Sequence, residues 1–221
     1  MKIIIVNSNP IHYPIEQNCA KLFDSIAINK KIELSFEKLK EINPDYIFFL
    51  HWSYIIPKNI FENFNCIVFH MTDLPYGRGG SPLQNLIIRG HQETVISAIK
   101  VEEGIDTGAI YLKKPLLLAG TAEEIFLRAG KIMFSMIEEI ITTQPQPVEQ
   151  KGEALTFKRR TPDESNIQTL EHIEKLYDFI RMLDAEGYPK AFIETDFFTF
   201  EFSRASLKAD GIIADVKITK K

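Results

Sequence analysis

The segment CIVFHMTDLPYGRGGSP, residues 66–82, decides the fold. It opens on an unbroken apolar run, too short for a helix and without the alternation of a strand that has one wet face. A strand covered on both sides in a parallel sheet reads this way. His70 follows at once, then a glycine-rich loop carrying Arg78, then a helix start with Ser81 placed to cap and Pro82 in the first turn. Strand, loop and helix in that order form the crossover unit of an α/β sheet, and such sheets bind ligands beyond the carboxyl ends of their strands. Glycines let a backbone approach a ligand closely and helix-start N–H groups favour an anion, so a phosphorylated or carboxylated guest is expected beside Gly79 and Gly80.

Outward from this segment the same alternation recurs. Residues 2–6 and 46–50 are further apolar runs, and 15–28 has helical spacing. Residues 94–101 and 109–118 are later strand candidates, separated by a turn-rich stretch with Gly104 and Gly108. Thr121 and Glu124 form a capping box ahead of Ile125, Ala129, Ile132, Met133, Met136, Ile137 and Ile140, which recur at helical spacing as a core-facing stripe. Prolines and glutamines break the pattern near residues 142–147, and a second helix is expected over 170–183. Short β-rich runs at 191–194, 197–202 and 212–218 close the chain. The expected organisation is a catalytic domain over residues 1–150, a linker and packing helix over 151–186, and a small antiparallel β module over 187–221. The fold class is α/β, a Rossmann-like, mostly parallel twisted sheet flanked by helices.

The 221 residues carry a formal net charge of −4, which supplies no general field for a polyanion, and no nucleic-acid partner is expected. Cys19 and Cys66 stand apart from each other and from any metal-ligand spacing, so neither a disulfide framework nor a metal site is expected, and both thiols read as reduced and buried. No apolar stretch approaches the ~18 residues that span a bilayer. The expected setting is the cytoplasm, with no membrane partner. The apolar C-terminal strands are compatible with a homodimer.

Three residues in the turn-rich regions carry chemistry by position. A lone histidine is more often structural, but His70 ends a buried strand at the edge where ligands bind. Arg78 is flanked by glycines, and Asp106 lies in Gly-Ile-Asp-Thr-Gly, where an aspartate alone would be ordinary turn chemistry. The order of these pieces resembles that of the formyltetrahydrofolate-dependent formyltransferases. The resemblance rests on Pro44-Asp45-Tyr46-Ile47-Phe48-Phe49, Ile55-Ile56-Pro57, the His-x-x-x-Leu-Pro run from His70 to Pro75, Arg78-Gly79 and Asp106-Thr107-Gly108. The 36 positions from His70 to Asp106 agree with the family's histidine and aspartate. Weaker likeness continues through Phe157, Lys158, Arg159 and Arg160 and the helix carrying Arg181.

The resemblance implies transfer of a formyl group from the cosubstrate 10-formyltetrahydrofolate to an amine, without a metal. His70 is then the general base and acid, and Asp106 its partner and proton relay. The folate is expected against Trp52, Tyr54, Ile55 and Ile56 and against Glu102, Glu103, Gly104 and Ile105. The acceptor is expected near Tyr76, Arg78, Gly79 and Gly80, with Tyr13 stacking on a base. Residues 70–87 are most similar to the subgroup of sugar N-formyltransferases and peptide-synthetase formylation domains, so the expected acceptor is a nucleotide-linked amino-dideoxy sugar, UDP-linked. A tRNA acceptor would call for a larger basic C-terminal domain. A carrier-bound aminoacyl group and a binding protein without turnover are the other readings. The family's Asn two residues before the histidine is Val68 here, and Asn65, Thr72 and His51 are the candidate replacements as donor to the formyl oxygen.

Overall fold

The computed structural model describes residues 1–221. In chain order the elements are β1 (Lys2–Asn7), α1 (Tyr13–Leu22), β2 (Asp24–Ile28), α2 (Phe36–Ile42), β3 (Tyr46–Leu50), α3 (Lys58–Phe61), β4 (Cys66–His70), β5 (Tyr76–Gly79) and α4 (Pro82–Ile88). They continue with β6 (Glu93–Lys100), β7 (Ile110–Leu117), α5 (Ala122–Thr143), β8 (Leu155–Phe157), α6 (Ile173–Met182), β9 (Ala191–Glu194), β10 (Phe198–Leu207) and β11 (Ile212–Lys220). The chain divides into one unit of Met1–Gly79, Thr94–Leu116 and Leu127–Thr156, and another of Gly80–Glu93, Leu117–Phe126 and Phe157–Lys221.

The first unit is built on the six-stranded sheet β2-β1-β3-β4-β6-β7. β1 pairs in parallel with β2 and β3, β3 pairs in parallel with β4, and β6 runs antiparallel to β4. The sheet is thus mostly parallel, as expected. Ile3 to Val6 and Ile47 to Leu50 are sealed on both faces, which is why they read as continuous apolar runs. One helix of the sequence reading is corrected: residues 15–28 are not a single helix. α1 stops at Leu22 because Phe23 turns extended (φ −134°, ψ 157°), and β2 then takes its place beside β1 from Lys2↔Asp24 to Val6↔Ile28. Ladder bonds with β1 outweigh a helical apolar spacing that the sequence displays equally well.

The second unit contains α4, α6 and the antiparallel sheet β11-β10-β9. Leu83, Leu86 and Ile87 bury one side of α4, and Gln84 donates to the Met182 carbonyl at 3.1 Å. Arg181 is buried because its guanidinium reaches the Leu118 and Gly120 carbonyls at 2.6 and 3.0 Å and Asp178 at 2.8 Å. The Thr121 and Glu124 capping box is present, with bonds of 2.8 and 3.2 Å, a feature that contributes about 1 kcal/mol. Ser81 sits at the N-cap of α4 but in the left-handed region (φ 50°, ψ 50°), and its Oγ accepts the Arg160 N–H at 3.1 Å rather than an α4 amide. No helix is long and apolar enough to cross a membrane.

Candidate active site

β4 delivers His70 to the carboxyl edge of the sheet, where its side chain is 8 % exposed. The short strand β5 lies beside it and uses alternate backbone groups to hold three side chains. The Gly77 carbonyl accepts His70 Nε2–H at 2.8 Å and the Thr72 hydroxyl at 3.2 Å. The Gly79 N–H donates to Asp106 Oδ2 at 2.9 Å, and the same oxygen lies 3.4 Å from His70 Nδ1. With its proton held on Nε2 by a carbonyl, a neutral His70 presents Nδ1 as the nitrogen able to take another, next to the Asp106 carboxylate. Gly77 (φ 76°) and Gly79 (φ 98°) adopt backbone angles that a side chain would resist, so the glycines of this loop serve the geometry of β5 itself.

Asp106 reaches His70 from the loop between β6 and β7, in the left-handed region at φ 54°. Gln150, which the sequence reading did not single out, braces that loop. Its amide nitrogen donates to the carbonyls of Asp106 and Gly108, both at 2.8 Å, and its oxygen accepts from Arg78 Nε and Nη2 at 3.1 and 2.7 Å. Arg78 is therefore held by a neutral amide and forms no ion pair. The signal that would have found Gln150 is weak: a polar residue in a stretch of prolines and glutamines.

The three candidates for the donor that Val68 cannot supply lie in different surroundings. Asn65 lies at the opposite end of β4 and donates to the Asp45 carbonyl. The Thr72 hydroxyl is committed to Gly77. His51 follows the end of β3 at φ 49°, two residues beyond the last register pair with β4, Phe49↔Val68. Burial pushes the His51 imidazole down to about 4, so near neutral pH its ring is uncharged and carries one N–H. Its neighbour His12, with ring centroids 5.6 Å apart, is buried and pushed down to about 3 by burial and secondarily by His51. His12 Nδ1 has no partner and packs where a Cβ on Gly130 would stand 3.2 Å away.

This pair makes the fold acid-sensitive. A histidine held neutral in the fold takes up a proton only in the unfolded chain as pH falls below about 6.5, so stability is present above that pH and declines toward pH 3. His12 is expected to remove about 2 kcal/mol between pH 7 and pH 5. Urea unfolding at the two pH values, for the wild type and His12→Phe, checks this: equal losses in both would refute it.

The folate-facing expectations fall on two segments that the structure brings together through Lys58 and Glu103, paired at 3.4 Å. Tyr54, Ile55 and Ile105 are exposed apolar side chains, and Gly104 turns at φ 102°. Ile56 and Trp52 are half-buried against the core, with Trp52 edge-on to Tyr54 at 5.0 Å between ring centroids. Trp52 Nε1 is buried without a partner. Glu102 pairs with Lys100 at 3.0 Å. On the acceptor side, Tyr76, Arg78 and Gly79 lie along β5 beside His70, while Tyr13 stands exposed at the start of α1. Gly80 needs a correction. A Cβ there would stand 2.6 Å from that of Arg159, and its N–H bonds the Phe157 carbonyl, so it admits the chain's own strand rather than a ligand. At the start of α4, Asn85 Nδ2 reaches the carbonyls of Gly80, Ser81 and Lys158 at 3.0–3.1 Å. Both cysteines are free, buried and pushed up to about 12, chiefly by burial.

A family model described as formyl transferase matches residues 18–127, and one described as methionyl-tRNA formyltransferase, C-terminal domain, matches residues 162–219. The solved structure of methionyl-tRNA formyltransferase from Clostridium thermocellum is 56 % identical, covers 100 % of both chains and superposes with a TM-score of 0.98. Methionyl-tRNA formyltransferase of Clostridium botulinum (strain Alaska E43 / Type E3) is 29 % identical over 166 residues, 72 % of this chain and 53 % of that one, so the match spans about half the length of this curated relative. HypX from Aquifex aeolicus, solved in complex with tetrahydrofolic acid, shares the fold at 13 % identity and TM-score 0.78, over 93 % of this chain and 38 % of its own. These findings overturn two expectations. The nucleotide-linked amino sugar and the exclusion of a nucleic-acid partner do not stand against a relative that matches end to end and is named for an aminoacyl-tRNA. Net charge and the size of the last module were poor guides, because a C-terminal module of this length is itself matched by the tRNA enzymes' domain.

Proposed function

Since the chain belongs to the formyltetrahydrofolate-dependent formyltransferase family, we propose that it moves the formyl group of 10-formyltetrahydrofolate onto the α-amine of methionyl-tRNA. The observation that carries the chemistry is the approach of His70 Nδ1 to Asp106 Oδ2 at 3.4 Å, with each residue fixed by the same four-residue strand. A neutral amine attacks the formyl carbon, an oxyanion forms on the formyl oxygen, the carbon–nitrogen bond to the folate breaks, and a proton passes from the new ammonium to the departing folate nitrogen. Imidazole suits that traffic because its ordinary pKa lies near working pH. In this reading His70 Nδ1 takes the proton, and Asp106 steadies the resulting cation.

The acceptor assignment is supported by the end-to-end likeness to the Clostridium thermocellum enzyme and by the C-terminal match. A formal net charge of −4 is compatible with a polyanion where basic side chains are local, and Lys158 and Arg159 are both exposed. The test mixes the protein with 10-formyltetrahydrofolate and methionyl-tRNA and follows formylmethionyl-tRNA together with released tetrahydrofolate. Both should appear at equal rates, with apparent affinity for the tRNA falling as salt rises. Folate turnover that methionyl-tRNA fails to stimulate would reject this acceptor.

A further inference from the structure

Gln150 spends its whole hydrogen-bonding capacity on the site. A primary amide has two donor hydrogens and two acceptor lone pairs. Here both donors meet the carbonyls of Asp106 and Gly108, and both lone pairs meet the guanidinium of Arg78. The side chain arrives in register because Val148 bridges Ile110, with paired backbone bonds of 2.8 and 2.9 Å, placing Gln150 against the loop that precedes β7. Its orientation is locked, since turning the amide over would set its oxygen against two carbonyls and its hydrogens against a cation. Glutamate lacks the donors that Asp106 and Gly108 require, and asparagine is one methylene short of spanning from them to Arg78.

We propose that Gln150 is a positioning residue for the transfer reaction, setting the Asp106 carboxylate against His70 and aiming Arg78. The links form a ring. Gln150 holds Asp106 by its backbone, Asp106 accepts the Gly79 N–H, Gly77 fixes His70, and Arg78, between those two glycines, returns to Gln150. Asp106 sits in the left-handed region, which an aspartate occupies at a cost, so its conformation depends on such external bonds. Neutral bracing also leaves the Arg78 cation uncompensated for an anionic group on a bound substrate, where a glutamate at 150 would quench it.

This role rests on the formyl-transfer reading, and the experiment keeps the two apart. Gln150→Ala and Gln150→Glu are expected to lower kcat by about a hundredfold, as a displaced catalytic group does, with the KM for folate and the thermal midpoint near wild type. In an Asp106→Asn background the same substitutions should cost less than about threefold, because a residue acting through Asp106 has little left to disturb. Fully multiplicative losses, or wild-type kcat in either variant, would overturn the proposal. The second arm needs no substrate: ¹⁵N shifts of the His70 ring report which nitrogen carries the proton. Wild-type and Gln150→Glu spectra should differ. Identical spectra would reject the positioning role whether or not any acceptor turns over, whereas a wild type that turns over nothing yet shows the spectral difference would reject the reaction and keep the role.

Discussion

Replacing His70 by alanine is expected to lower kcat for formyl transfer by about 10²–10⁴-fold while the protein stays folded. The fold should tolerate the loss because nothing polar is stranded. The Gly77 carbonyl keeps the Thr72 hydroxyl at 3.2 Å, and Asp106 keeps the Gly79 N–H at 2.9 Å. What disappears is the only ring nitrogen beside Asp106 able to accept a proton. Asp106→Asn separates charge from shape: the amide oxygen can still accept from Gly79, so the loop should hold, but the negative charge 3.4 Å from His70 Nδ1 is gone. Single-turnover rates with a thermal melt on each variant decide it. A folded His70→Ala protein with near-normal turnover would remove His70 from the chemistry.

Gly108→Ala is expected to be strongly damaging to both fold and turnover. A Cβ at this position would stand 1.8 Å from the Lys100 carbonyl oxygen, which is backbone and cannot swing aside. The neighbouring bond from Lys100 N–H to the Ala109 carbonyl, 2.9 Å, ties the same place into the join of β6 and β7. Relief requires the two segments to part, carrying Asp106 away from His70. The expected cost is about 3 kcal/mol or more of stability, at the upper end for an overpacked site, together with loss of turnover. Chemical denaturation measures the first, and a loss under about 1 kcal/mol would show that the loop is softer than its contacts imply.

How far these residues could be read from sequence depends on what kind of force places them. β3 and β4 were legible because a strand buried on both faces must be apolar throughout, and His70 followed from its place at the strand end. Asp106 came from the ordered resemblance, not from its turn. β2 was missed because Ile26 continues the helical spacing of Ile15, Cys19 and Leu22, and only pairing with β1 decides against it. Gln150 was invisible for a similar reason: a neutral amide acts wholly through partners 42, 44 and 72 positions away. Gly80 misled because close approach of backbone to a ligand and close approach of backbone to backbone need the same residue. The acceptor was misread because net charge is a sum over the molecule, while a substrate is chosen by a handful of contacts.

Tying the His70 and Asp106 side chains to one ribbon by hydrogen bonds has a mechanical consequence. Because Gly77 and Gly79 belong to the same four-residue strand, any drift of that strand carries the imidazole and the carboxylate together, and their separation is buffered against motions that would scatter groups mounted on independent loops. The two side chains are thereby expected to move as one, keeping their mutual calibration while their common aim adjusts.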